Sequence, residues 1–122
     1  MDKQELQERM TSFAVRIVKL VDAMPPSLGA QTIARQIVRS GTSPSANYRV
    51  ACIAKSDKDF LNKLKIVEEE LDETTHWLEL IIRCQFLKPS RIEPLLQECK
   101  ELLSIIVKSI VTVRTRLSAD KL

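Results

Sequence analysis

The chain has 122 residues, 44% of them hydrophobic and 29% charged, with two glycines and a formal net charge of +3. That length accommodates one hydrophobic core, since a second would leave too few residues for either, and the composition excludes both a disordered chain and a turn-rich β fold. Three cysteines without a CxxC pair exclude a disulfide framework and a zinc knuckle, and no apolar stretch approaches the ~20 residues of a membrane span.

The first periodic run places Leu6, Met10, Phe13, Ile17, Leu20 and Met24 at steps of four and three, which keeps them on one stripe of a helix. A helix over residues 2–24 is expected, ended by Pro25-Pro26 because proline has no amide hydrogen and restricts the residue before it. The second run, 27–55, carries Leu28, Ile33, Ile37, Val38, Tyr48, Ala51 and Ile53 but is interrupted by Ser40-Gly41-Thr42-Ser43-Pro44. Two readings are open there: two short helices with Ser43 as N-cap and Pro44 at the first helical position, or one long helix bent at Pro44. The long helix is favoured, because packing along its length can offset the ~3 kcal/mol cost of an internal proline.

The third run, 57–87, opens at Ser56 with Asp59 three residues on, close to a capping box, and its stripe is Phe60, Leu64, Val67, Leu71, Leu78 and Ile81 or Ile82. The fourth, 90–118, repeats the capping pattern at Ser90 and Glu93 and steps through Ile92, Leu96, Cys99, Leu103, Ile106, Ile110, Val113 and Leu117. The charged tail after Arg114 is expected to fray. Four amphipathic helices on short connections bury their stripes together as an antiparallel up-down-up-down four-helix bundle, so a single all-α domain over residues 1–122 is expected. Two features exceed the needs of a monomer's core. Leu95, Leu102, Val107 and Val111 widen the apolar arc of the last helix, and Ile66, Trp77, Leu80 and Cys84 form a second line on the third. Self-association is expected, with that second line as candidate interface.

The charged start of the chain lacks the hydrophobic run of a signal peptide, and unpaired cysteines suit a reducing compartment, so a cytoplasmic protein is expected. No enzyme is expected either. His76 is the one histidine, so Glu73-x-x-His76 supplies only half of what a di-iron bundle requires, and no serine or cysteine has a second imidazole to activate it. The Ser-Gly-Thr-Ser stretch lacks the lysine of a phosphate-cradling loop. No metal, cofactor or small-molecule substrate is implied.

What remains is segregated charge. Residues 25–56 carry Arg35, Arg39, Arg49 and Lys55 and no acid, whereas 57–87 carry eight acids against four bases. On a continuous helix the three arginines fall within about 80° of one another. Such a line can grip a phosphate backbone, or it can pair with the acids of the third helix. Few aromatic residues are present to stack on bases.

The string Ile33-Ala34-Arg35-Gln36-Ile37-Val38-Arg39-Ser40-Gly41-Thr42-Ser43-Pro44-Ser45-Ala46-Asn47-Tyr48-Arg49 resembles the signature of the four-helix bundle proteins encoded in intervening sequences of bacterial 23S ribosomal RNA genes. The similarity continues through Asp59-Phe60, Lys63-Leu64, Glu68-Glu69-Glu70, Glu73-Thr74 and Trp77-Leu78-Glu79-Leu80. The resemblance implies a ring-like homopentamer, similar to the nucleic-acid-binding accessory protein of diversity-generating retroelements, but no established activity. Ser40, Gly41, Thr42, Ser43 and Asn47 match the motif and read as architectural. Arg35, Arg39 and Arg49 match positions that are often basic. The expected function is a non-enzymatic scaffold that contacts RNA or a nucleic-acid enzyme through Arg35, Arg39, Arg49, Lys108, Arg114 and Arg116. The alternative is a protein-interaction scaffold that never touches nucleic acid.

Overall fold

The periodic runs become four helices in the computed structural model, which describes residues 1–120: α1 (Lys3–Asp22), α2 (Leu28–Ala51), α3 (Asp57–Arg83) and α4 (Pro89–Asp120). No strand occurs among the described residues. The starts of three helices are chemically marked. Asp2, Ser27 and Ser56 cap α1, α2 and α3, each side-chain oxygen accepting the amide three residues on, from Glu5, Ala30 and Asp59 at 2.8, 3.3 and 3.1 Å. Such a bond satisfies one of the amides that every helix start leaves without an intrahelical partner.

α2 is one helix through Pro44. Pro44 cannot donate to the carbonyl of Ser40, yet its ring is buried, and neighbouring side chains return hydrogen bonds to the backbone around it. Thr42 Oγ1 donates to Val38 O at 2.6 Å, Ser45 Oγ to Thr42 O at 3.0 Å and Asn47 Nδ2 to Ser43 O at 3.1 Å.

The buried positions of α2 are Ala30, Ala34, Ile37, Ser40, Gly41, Pro44, Tyr48 and Ala51. All but Ser40 follow alternating steps of four and three, the spacing of a coiled-coil-like seam. This corrects the stripe expected from large residues. Leu28, at the first position of α2, and Ile53, two residues past its last, are 83% and 80% exposed, and Ile33 and Val38 are only half-buried. α3 follows the same rule with Leu64, Val67, Leu71, Thr74, Leu78 and Ile81, so Thr74 fills the gap that the apolar pattern left.

Small residues on α2 let its neighbours approach closely. A Cβ placed on Gly41 would stand 2.8 Å from both Cγ1 and Cγ2 of the fully buried Ile17 on α1, a separation real side chains do not tolerate. On the other side, the buried Thr74 hydroxyl of α3 donates to Ser40 Oγ at 2.9 Å and lies 2.8 Å from Glu70 O. A buried hydroxyl without a partner costs ~1–3 kcal/mol, so the two polar groups are tolerated inside the core because they meet each other.

Several boundaries differ from expectation: α1 ends at Asp22 rather than residue 24 and α2 at Ala51 rather than residue 55. α3 ends at Arg83, where the amides of Gln85 and Phe86 bond back to Ile82 O and Ile81 O at 3.0 and 3.2 Å, with Gln85 in the left-handed region at φ 58°. That closure turns the chain and packs Phe86 and Leu87 against the core. α4 starts one residue earlier than expected, with Pro89 at its first position, so Ser90 lies inside the first turn and does not cap it. The tail after Arg114 stays helical to Asp120, and Arg116 there makes a paired bond to Asp57.

The core stripe of α4 is also rotated. Leu95 and Leu102 are buried, while Leu96 and Leu103 are only half-buried. All four lie within the helix's wide apolar arc, and the position of its neighbours selects among them. α4 packs broadly on α3 and only thinly on α1. One apolar cluster nonetheless draws on all four helices.

Candidate nucleic-acid interface

Arg35, Arg39 and Arg49 are exposed and project from α2 on the side away from its buried seam. None makes an ion pair among the described residues. Arg39 lies near α3, where burial first, and then Glu73, push the Glu70 carboxyl above its usual pKa while Arg39 opposes them. Of the motif beside these arginines, Ser40 and Gly41 are buried, and Thr42, Ser43 and Asn47 are half-buried, with all but Gly41 engaged in the hydrogen bonds of α2 and α3.

The basic residues of α4 separate. Lys108 and Arg116 line one open cleft, about 490 Å³, with Asp2, Lys3, Tyr48 and Phe60. Lys3 Nζ stands 4.5 Å over the Phe60 ring. Arg116 is already engaged with Asp57 at 3.2 Å. Arg114 is exposed and makes no ion pair among the described residues. Lys3 was not singled out in the sequence because its nearest cationic partners, Lys108 and Arg116, are more than a hundred residues away.

A second charged region runs along the flank where α1 meets α4. Arg9 donates through Nε and Nη2 to both carboxylate oxygens of Glu98, at 2.8 and 2.7 Å, and through Nη2 to Glu101 at 3.0 Å. The hydrogen bond from Arg9 holds the Glu98 carboxyl below its usual pKa, against the opposing effect of its partial burial, with Arg16 adding to the lowering. Farther along, Arg16 and Lys19 of α1 and Arg91 of α4 line a smaller cleft over Leu20 and Leu95. Sequence reasoning passed over these residues, although Arg9 and Arg16, and Arg91 and Glu98, are each seven apart and so share a helix flank.

The candidate interface line on α3 is mixed. Ile66 and Cys84 are exposed, Trp77 and Leu80 half-buried, and Trp77 Nε1 donates to Glu73 Oε2 at 3.2 Å. Other exposed apolar side chains lie at Val15 and Val18 on α1 and at Val107 and Val111 on α4. His76 packs edge-on against Trp77, with ring centroids 4.7 Å apart. Cys99 is buried and donates to Leu71 O at 3.3 Å, and burial pushes its thiol pKa up to about 11. Among the described residues no group of three or more histidine, cysteine or acidic side chains could hold a metal, and no helix is long and apolar enough to cross a membrane.

Fold and surface together define a small all-α protein, four helices packed as a bundle, whose distinguishing chemistry is exposed charge. The chain matches the family described as 23S rRNA-intervening sequence protein over residues 2–108, and it belongs to that family. It is similar to a solved structure from Bacteroides thetaiotaomicron VPI-5482 described as a protein with unknown function from the S23 ribosomal protein family. The two are 36% identical, with 86% of this chain and 97% of the other covered and a TM-score of 0.81. No curated protein matches.

Proposed function

We propose that the protein is a non-enzymatic, homo-oligomeric scaffold that binds RNA through exposed basic side chains. Its helices run antiparallel, up-down-up-down. Gln7 of α1 meets Ser45 of α2 while Ile17 meets Gly41, and Asp57 of α3 meets Arg116 of α4 while Leu71 meets Cys99, which supports that order. Self-association, a pentamer by family resemblance, is supported by the exposed valines on α1 and α4. The reading without catalysis is supported by the buried Cys99, whose thiol is engaged with Leu71 O and held protonated at neutral pH.

The observation that carries the RNA reading is that Arg35, Arg39, Arg49, Lys108 and Arg114 are among the exposed cations without an ion-pair partner, in a family named for an insertion in a ribosomal RNA gene. Arginine suits the task because its planar fork matches phosphate oxygens. The proximity of Arg39 to Glu70 favours a second reading, in which the α2 arginines serve contacts between protein surfaces. Titrating a labelled structured RNA at two salt concentrations, with light scattering on the same sample, tests both. RNA binding that weakens steeply with salt, by an oligomer of fixed mass, is expected. An intact oligomer without binding at low salt removes the RNA reading.

A further inference from the structure

The charges facing each other across the α1–α4 flank follow a register. Arg9 meets Glu98 and Glu101. Seven residues earlier on α1 and seven later than Glu101 on α4, Asp2 and Lys108 share a cleft. The Arg9 layer places opposite charges together, and the Asp2 layer sets one acid among Lys3, Lys108 and Arg116. Seven residues after Arg9 and seven before Glu98, the same register brings Arg16 and Arg91 to one cleft, where like charge faces like. Lys19 adds a third cation.

No acidic side chain lines this cleft, although Glu98 lies close enough to Arg16 to feel its charge. The first turn of α4 contains no acid either. Arg16, Lys19 and Arg91 are exposed, and none makes an ion pair among the described residues. Like charges held at neighbouring positions cost a few tenths of a kcal/mol, the reverse of what the Arg9 layer achieves. An anion between them reverses that sign.

We propose that Arg16, Lys19 and Arg91 form a phosphate clamp, and that its ligand is a backbone phosphate of the bound RNA; this rests on the RNA reading above. The cleft, about 150 Å³ over a floor of Leu20 and Leu95, has room for a single tetrahedral anion. Two of its three cations are arginines, whose paired N–H groups fit two oxygens of one phosphate. The acids Glu98 and Glu101 stand immediately beyond it, so the backbone touches the flank at this cleft and leaves it before the Arg9 layer. The α2 arginines, on the far side of the bundle seam, are secondary in this arrangement.

The test compares RNA binding by the wild-type protein, the Arg16→Gln/Lys19→Gln/Arg91→Gln variant and an Arg35→Gln/Arg39→Gln/Arg49→Gln variant, with circular dichroism and light scattering confirming fold and mass. Should Arg16 prove necessary to hold Glu98, the Lys19→Gln/Arg91→Gln variant leaves that contact intact and is read in its place. The clamp variant is expected to lose about tenfold or more in affinity and to flatten the dependence of log K on log salt by about 0.7 to 0.9 per phosphate contact removed. The α2 variant is expected to change less. Unchanged affinity in the clamp variant, with loss in the α2 variant, overturns the clamp and keeps the RNA reading. No RNA binding by the wild-type protein overturns both.

Discussion

α1 has two flanks that hold it by different means. Against α2 it is packed closely, with Ile17 fitted onto Gly41 where no larger residue has room. Against α4 the packing is thin, and the most specific link is the charged bridge from Arg9 to Glu98 and Glu101. The first flank should resist changes of salt and pH and reject added volume. The second should depend on charge, and its cations Arg16, Lys19 and Arg91 make no ion pair among the described residues. The difference teaches that in this fold stability and surface chemistry are assigned to opposite sides of one helix.

The largest expected effect lies on the packed flank. Truncating the fully buried Ile17 to alanine should cost about 2–5 kcal/mol in denaturant unfolding. Gly41→Ala alone should cost about 1–3 kcal/mol by overpacking, despite alanine's better helix propensity. In the Ile17→Ala background the same Gly41→Ala change should cost much less, because the two atoms at 2.8 Å are gone and only Cβ, at 3.2 Å, remains close. Additive losses in that double-mutant cycle would show that Gly41 is not a contact point of the two helices.

On the charged flank the effect is smaller and depends on conditions. Arg9→Gln should cost about 1 kcal/mol at neutral pH and low salt, since the bridge is partly exposed, with Arg9 at 29% and Glu98 at 17% side-chain exposure. Because the Glu98 pKa is lowered in the fold, its contribution is present above the ordinary carboxylate value of ~4.3 and is lost as pH falls through the lowered one. Unfolding curves from neutral pH down to about pH 3 should therefore fall more steeply for wild type than for Arg9→Gln. Equal slopes would mean that the bridge does not form in solution.

The smallest effect sharpens the contrast within that flank. Arg91→Gln should leave stability unchanged or raise it by up to about 0.5 kcal/mol at low salt, because it removes a like charge. A clear loss of stability would mean that Arg91 has an acidic partner, and would weaken its assignment to the phosphate clamp.

Much of the fold was legible beforehand. The six-residue stripe of α1 is buried in full, and Ser27 and Ser56 cap the helices they were expected to start, because apolar period and capping chemistry are local properties of the chain. α2 was legible in its start and only in part in its face. Ile37, Tyr48 and Ala51 of its seam were expected, but the seam also takes in Ala30, Ala34, Gly41 and Pro44, residues that carry almost no hydrophobic signal and are buried because neighbouring helices approach there. The site was legible in part. Arg35, Arg39 and Arg49 are exposed as one line implies, but the cation cleft of Arg16, Lys19 and Arg91 joins residues some seventy positions apart and has no signature along the chain.

By itself, then, the sequence determined four helices, the start of three of them and the segregation of charge among them, since each follows from interactions within a few residues. Only the tertiary structure decided which apolar positions of α2 and α4 are buried, which of the two readings at Pro44 holds, and which charges face one another across α1 and α4. Those outcomes depend on how far apart the helix axes lie and in what register, and both are set by side chains distant in sequence meeting in one core.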